Sequence, residues 1–115
     1  MSAIYKIMSE VEWAKTKAEG KFAGAEIDLA DGYIHFSTAQ QVRETVAKHF
    51  ANRSDLVLLT VNSDRFGDAI KWEPSRGGDL FPHLYSILAI EDVAMVDALP
   101  LSRRGGHVFP KHVDG

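Results

Sequence analysis

The hydrophobic and polar positions of this chain follow several short periodic patterns, and each pattern predicts one element. Residues 3–7 carry apolar and β-favouring residues around one lysine, which predicts a first strand. Ser9 begins a helix, because Glu12 three residues later completes a capping box and Gly20 provides a C-terminal stop. Residues 56–61 are apolar on both faces and predict a strand at the centre of a sheet.

Between these elements lies a second helix, preceded by a predicted loop. Residues 22–32 predict this loop because they contain Gly24, Glu26, Asp28, Asp31 and Gly32, and residues 33–36 predict a short buried strand. Thr38 and Gln41 have the spacing of another capping box. Apolar residues then recur at helical spacing as far as Phe50, so a helix is expected there.

The second half of the chain is poor in helical pattern. Two helices followed by several strands indicate a single α+β domain, which we place at residues 1–101. Residues 102–115 are polar and basic and predict a loosely ordered C-terminal tail. The strands expected in this half lie at residues 70–73, 80–85 and 93–98, with a helical turn at 90–93.

Composition excludes several classes of protein. The 115 residues are 45% hydrophobic and 25% charged, with a formal net charge of −3, as in an ordinary soluble domain. Cysteine is absent, which excludes disulfides, thiol nucleophiles and cysteine metal centres. No apolar run approaches the ~20 residues of a membrane span, and no signal-peptide pattern occurs. We therefore expect a cytoplasmic protein with no membrane partner and no bulk nucleic-acid binding.

The first candidate site is the junction of the short strand and the second helix. His35, Ser37 and Thr38 lie where a helix N-terminus presents free N–H groups, which favour an anion such as phosphate. His35 adds a group that can donate or accept a proton. The alternative is structural, with Thr38 acting only as a cap and His35 partly buried.

The second candidate site is a glycine-containing loop. Arg76 precedes Gly77 and Gly78, so its guanidinium could hold a carboxylate or phosphate where the backbone approaches closely. Trp72 could stack on a flat ring. The alternative is a polar turn braced by an ion pair between Glu73 and Arg76.

The third candidate site is a strand that carries two polar rings. His83 and Tyr85 are two residues apart and therefore point to the same face of a strand. Together they could bind a ligand or transfer protons, although a core Tyr85 and a surface His83 are an equal alternative. No close pair of histidines supports a metal site, so no metal is expected.

These three segments resemble a bacterial family of small proteins of unknown function. The matching motifs are D-G-Y-I-H-F-S-T at residues 31–38, W-E-P-S-R-G-G at 72–78 and F-P-H-L-Y at 81–85. The resemblance covers residues 4–101, and the family is grouped with the ADP-ribosyltransferase-like superfamily. That grouping implies a compact α+β domain with two small, mostly antiparallel sheets around a cleft, two main helices in the N-terminal half, and NAD as the cofactor.

The resemblance also implies roles for individual residues, with two departures from the superfamily pattern. Lys6 stands where the first strand of the superfamily usually has histidine, and residues 81–85 lack the glutamate of the third strand. The implied catalytic residues are His35, His83 and Glu73, and the implied cofactor-binding residues are Lys6, Ser37, Thr38, Trp72, Arg76 and Tyr85.

Three functions remain open at this point. The first is an NAD-dependent transferase that acts at a ribose or phosphate group, with a cleft made locally positive by Lys6, His35 and Arg76. The second is a module that recognises a nucleotide or ADP-ribose without chemistry, which the missing glutamate favours. The third is an interaction domain whose polar motifs only brace loops. The sequence leaves the oligomeric state open.

Overall fold

The computed structural model describes residues 3–75 and 77–114, which form a small α+β domain. Two longer helices and one short helix lie in the first half of the chain, and three 3-10 segments follow. The strands are β1 Ala3–Ser9, β2 Lys21–Phe22, β3 Ile34–His35, β4 Leu56–Asn62, β5 Ile70–Ser75, β6 Asp79–Leu84, β7 Leu88–Ala89 and β8 Val93–Ala98. The helices are α1 Glu10–Glu19, α2 Glu26–Asp31 and α3 Ala39–His49, and the 3-10 segments are Ser63–Ala69, Ile90–Asp92 and Lys111–Asp114.

Within the described residues the strands form three antiparallel sheets, whereas two were predicted. A central sheet has the order β1-β4-β8, a cleft sheet has the order β3-β6-β5, and a small sheet pairs β2 with β7. The small sheet was missed because each of its strands is two residues long, which is too short for an alternating pattern. The prediction of a central strand at residues 56–61 is confirmed by β4.

The two faces of the central sheet carry separate hydrophobic cores. Successive residues of β1 point to opposite faces, so Ile4 and Met8 pack in one core while Tyr5 and Ile7 pack in the other, under α3. Full burial of such an aliphatic side chain contributes roughly 1.5–3 kcal/mol. The charged Lys6 therefore points from β1 toward the first core.

One backbone contact joins the central sheet to the cleft sheet. The N–H of Tyr5 donates to the carbonyl of Ser37 at 2.8 Å, and the N–H of Ser37 donates to the carbonyl of Tyr5 at 2.9 Å. This pair extends the edge of β1 into the segment that follows β3. It places Lys6 next to His35, although the two residues are 29 positions apart in the sequence.

Both predicted capping boxes lie at the starts of helices. At α1 the Ser9 hydroxyl accepts from the Glu12 N–H at 3.0 Å, and Glu12 accepts from the Ser9 N–H at 3.1 Å, so the first box is confirmed. At α3 the side chain of Gln41 accepts from the Thr38 N–H at 3.0 Å. Gly20 ends α1 with φ 78°, a left-handed conformation that glycine adopts without strain.

The prediction of a loop at residues 22–32 is wrong, because α2 lies within this range. The helix was missed because it has one turn and a half and no amphipathic pattern; Ile27 and Leu29 are both exposed. It forms around the buried side chain of Asp28, whose Oδ2 accepts from the N–H of Ala25 at 2.7 Å. A polar contact rather than an apolar stripe therefore defines this helix.

A loose tail was expected at residues 102–115; in the structure residues 107–113 of this segment lie against the domain, while residues 102–106 are exposed. Val113 is buried in the core under α3, and Phe109 packs at its edge. His112 Nε2 lies 2.8 Å from a carboxylate oxygen of Asp97 on β8. Burial of the apolar side chains of Val113 and Phe109 thus holds this segment against the domain, although its composition is largely polar.

Candidate functional site

A cleft of about 370 Å³ opens where β1, the β3–α3 junction and the cleft sheet meet. Four of the residues predicted for the site line this cleft. Lys6 lies on β1, His35 and Ser37 lie on and just after β3, and His83 lies on β6. Its remaining wall is largely apolar and includes Ile7, Phe50 and Phe81, the last of these from the third motif. The structure therefore brings together parts of the first and third motifs and the first strand.

Lys6 is buried and its charge is matched by a carboxylate. Its Nζ donates to both carboxylate oxygens of Asp28, at 3.2 and 3.0 Å, and lies 5.7 Å from the ring centre of Phe22. Burial lowers the pKa of Lys6, and the neighbouring Asp28 opposes this without cancelling it. The Lys6 ammonium is thus paired with Asp28, and its role in cofactor binding stays a prediction.

Asp28 is the hub of the polar network at the cleft. Besides the hydrogen bonds from Lys6 and from the N–H of Ala25, its carboxylate accepts a hydrogen bond from the N–H of His35 at 3.0 Å and lies 2.6 Å from His35 Nδ1. Burial alone would raise the pKa of Asp28, but the His35 hydrogen bond, the Lys6 charge and two backbone N–H groups together lower it far below its ordinary value. Asp28 is therefore a fixed carboxylate that sets the orientation of the His35 ring.

The second ring nitrogen of His35 also faces a carboxylate. Its Nε2 lies 2.9 Å from Oδ2 of Asp31, which is the last residue of α2 and part of the cleft wall. A carboxylate only accepts, so both contacts are hydrogen bonds at once only when both nitrogens of His35 carry a proton. Two of the three acidic residues of α2, Asp28 and Asp31, thus hold one imidazole from both sides.

His83 forms the second histidine–carboxylate pair. It lies opposite His35 in the β3–β6 register, and its Nδ1 is 2.9 Å from Oε1 of Glu73 on β5. The same oxygen accepts from the Tyr85 hydroxyl at 2.8 Å. The hydrogen bonds from His83 and then Tyr85 lower the pKa of Glu73, while the bond to Glu73 raises the pKa of Tyr85 to about 12.

Aromatic contacts hold the two imidazoles beside each other. Tyr33 stacks on His83 with ring centres 4.0 Å apart, and its ring centre lies 4.7 Å from that of His35. The centres of the His35 and His83 rings are 5.4 Å apart, in an edge-on arrangement. Two groups able to exchange protons therefore lie within reach of one small ligand.

None of the other predicted residues that the structure describes lines the cleft. Thr38 lies at the N-terminus of α3, and the hydroxyl of its neighbour Ser37, which does line the cleft, is 2.9 Å from the Thr45 hydroxyl of that helix. Trp72 and Tyr85 are 46% and 42% exposed and do not line the cleft. Glu73 reaches the cleft only through His83. Arg76 lies outside the described residues.

Sequence reasoning missed the residue that organises the site. Asp28 was one acid among several in an expected loop, and Tyr33 had no assigned role. The available signal was Lys6 itself, because a lysine within an apolar strand that pairs inside a sheet requires a carboxylate partner. The position of that partner in the sequence, 22 residues away, carries no such signal.

The charges of the described cleft residues are balanced rather than strongly positive. Among residues 3–75 and 77–114, Lys6 is the one lysine or arginine in the lining, and Asp28 neutralises it. Asp31 adds a negative charge to the wall beside His35. The positive cleft expected from Lys6, His35 and Arg76 thus has opposing carboxylates that the sequence did not reveal.

None of the helices in the described part of the chain is long and apolar enough to cross a membrane. Residues 3–75 and 77–114 also contain no group of three histidine or acidic side chains placed to hold a metal ion.

Comparison with solved structures gives close matches to one bacterial protein. The X-ray structure of protein CC0527 from Caulobacter crescentus shares 44% identity, covers 98% of this chain and 99% of its own, and has a TM-score of 0.92. The solution NMR structure of CC0527 shares 46% identity over 97% of each chain, with a TM-score of 0.87. No curated protein gives a significant match. A family model described as "Protein of unknown function (DUF952)" matches residues 7–96, and the chain belongs to this family.

Proposed function

We propose that the cleft binds a nucleotide of the NAD or ADP-ribose type through its ribosyl part. The observation that supports this is the convergence of His35, Ser37 and His83, from separate motifs, on one cleft. Their donors and acceptors match the hydroxyl groups of a ribose, and Asp31 adds a carboxylate of the kind that binds ribose hydroxyls in dinucleotide sites.

The size and wall of the cleft support a nucleoside-sized ligand. Its 370 Å³ lies at the lower end of the roughly 300–1,000 Å³ usual for ligand pockets. The apolar wall that contains Phe50 and Phe81 would cover a flat heterocycle, while the polar end would take the sugar. The remainder of a dinucleotide would then extend out of the cleft toward solvent.

In the enzymatic form of this proposal, His83 is the acid–base residue. A hydrogen bond from His83 Nδ1 to Glu73 leaves Nε2 of the neutral ring as the basic nitrogen. Glu73 is then a positioning residue, as the carboxylate partner of a catalytic histidine commonly is. His35 would donate to a hydroxyl oxygen of the ribose. The bond from the ribose to nicotinamide would break as a hydroxyl or water forms a new bond to the same carbon and gives its proton to His83 Nε2, so that transfer depends mainly on orientation and electrostatics.

A second candidate function is recognition of the same ligand without chemistry. The observation that favours it is the place of Glu73, whose Oε1 is engaged by both His83 and Tyr85 and which does not line the cleft. A glutamate held in this way cannot touch a ribosyl cation directly. The two candidates share one site and differ only in turnover.

Binding is tested by titrating the parent protein and two histidine variants with NAD and ADP-ribose. His35→Ala should bind about ten- to a hundredfold more weakly, since one hydrogen bond to a buried polar or charged group is lost. His112→Ala is the matched control, because His112 is equally exposed and also faces an aspartate, but lies outside the cleft. Absence of binding by the parent protein would refute the proposal.

Turnover is tested by nicotinamide release from NAD above the solvent blank. An enzyme should release nicotinamide, His83→Ala should abolish this, and Glu73→Gln should reduce it and shift its pH profile. Binding without release by the parent protein would establish the recognition function instead.

A further inference from the structure

The two carboxylates that hold His35 differ in burial. The Asp28 side chain is 1% exposed and lies 2.6 Å from Nδ1, whereas the Asp31 side chain is 44% exposed and lies 2.9 Å from Nε2. Asp28 also receives Lys6 and two backbone N–H groups. The contact on Nδ1 therefore belongs to the fixed frame of the domain, and the contact on Nε2 lies at its surface.

The difference in burial makes one contact permanent and the other exchangeable. Removal of one partner from a buried ion pair leaves an uncompensated charge, which is strongly unfavourable. An exposed ion pair such as His35–Asp31 contributes little, because water and salt screen it. A ligand can therefore displace Asp31 from Nε2 but cannot displace Asp28 from Nδ1.

The position of Asp31 suits such an exchange. It is the last residue of α2, and Gly32 follows it with φ 88°, so the exposed end of the helix carries the carboxylate. Both Asp31 and His35 line the cleft. A ligand oxygen that approaches His35 Nε2 must consequently arrive beside the Asp31 carboxylate.

We propose that Asp31 determines which ligand oxygen can reach His35, and that it selects neutral hydroxyl groups against phosphate. This inference rests on the proposed function and specifies its substrate class as the uncharged ribosyl part of the nucleotide. A hydroxyl can accept from His35 Nε2 and at the same time donate to Asp31, whereas an unprotonated phosphate oxygen only accepts, and the negative charge of phosphate is repelled by the carboxylate. The nearby cations do not offset this repulsion, because the charges of Lys6 and of the doubly protonated His35 are already matched by the carboxylates of Asp28 and Asp31.

The experiment follows the His35 ring signals by NMR while adenosine or inorganic phosphate is added to the parent protein and to Asp31→Asn. In the parent protein, adenosine should shift these signals at much lower concentration than phosphate. Asp31→Asn should bind phosphate about tenfold more tightly at low salt, because one like charge is removed, and salt should reduce this gain.

Asp68→Asn is the matched control, since it changes the net charge equally at an exposed position outside the cleft. It should leave the affinity for both probes as in the parent protein. Equal affinity of the parent protein and Asp31→Asn for phosphate would overturn the inference, as would an equal gain in Asp68→Asn. If Asp31→Asn gains phosphate affinity but adenosine, NAD and ADP-ribose do not bind to the parent protein, the proposed function fails while the charge selection by Asp31 stands.

Discussion

At the scale of single residues, Asp28 accounts for much of the site. Its carboxylate joins β1, α2 and β3 through Lys6, the N–H of Ala25 and both the ring and the N–H of His35. Four donors on one buried carboxylate compensate its loss of hydration. The same contacts that stabilise the fold here therefore also orient a histidine of the cleft.

Replacement of Asp28 should destabilise the protein strongly. Asp28→Asn leaves the Lys6 ammonium buried without its counter-charge, so the free energy of unfolding should fall by about 3–5 kcal/mol. The double variant Lys6→Met, Asp28→Asn should recover part of this loss, because no unpaired charge remains. Urea unfolding of the parent protein and both variants measures the effect; a double variant no more stable than Asp28→Asn would contradict this account.

Asp28 should also contribute to the loss of stability in acid. Its pKa is lowered in the folded protein from the ordinary 3.8, so the unfolded chain binds a proton more readily than the folded one. The stabilisation is therefore fully present above pH 3.8 and is lost as the pH falls below that value toward the folded pKa. Urea unfolding at a series of acidic pH values should give a shallower decline for Asp28→Asn than for the parent protein.

At the scale of elements, local and tertiary causes of helix formation can be separated. The start of α1 depends on neighbours in the sequence, since Ser9 and Glu12 satisfy each other's backbone groups. The short α2 depends on Asp28, which accepts locally from the Ala25 N–H and is bound by Lys6 of β1 and His35 of β3. The first helix was predicted and the second was not, because a capping box is visible in the sequence and a tertiary contact is not.

Ser9→Ala tests the local cause. Loss of the hydroxyl that accepts from the Glu12 N–H should lower the free energy of unfolding by about 1 kcal/mol. Ser54→Ala, at an exposed serine, is the control and should change stability little. Thermal and urea unfolding measure both; equal effects of the two substitutions would show that the cap contributes nothing.

At the scale of the whole molecule, the C-terminal segment packs against the core that lies under α3. Val113 is 3% exposed and packs with Leu99 and Val46, while Val108 in the same segment is 50% exposed. The N–H of Val108 donates to the carbonyl of Pro100 at 2.8 Å. The segment thus contributes apolar burial to a core that otherwise lies between the central sheet and α3.

Val113→Ala should therefore reduce stability clearly. The two methyl groups removed correspond to about 1.5 kcal/mol at ~0.8 kcal/mol for each buried carbon. Val108→Ala removes the same atoms from an exposed position in the same segment and should have a small effect. Urea unfolding compares them, and a parent-like Val113→Ala would mean that the segment does not support the core.

The sequence by itself determined the elements whose causes are local. Residues 56–61 are apolar on both faces and form the central strand β4, and the capping boxes at Ser9 and Thr38 locate the starts of α1 and α3. The motifs also contained His35 and His83, because unusual residue types at strand positions are visible without a structure. Only the tertiary structure decided that these histidines face each other, that Asp28 pairs with Lys6 and that Asp31 contacts His35. The physical reason is that hydrophobic periodicity and capping act over a few residues, whereas a buried charge takes its partner from whichever segment the sheet register brings beside it.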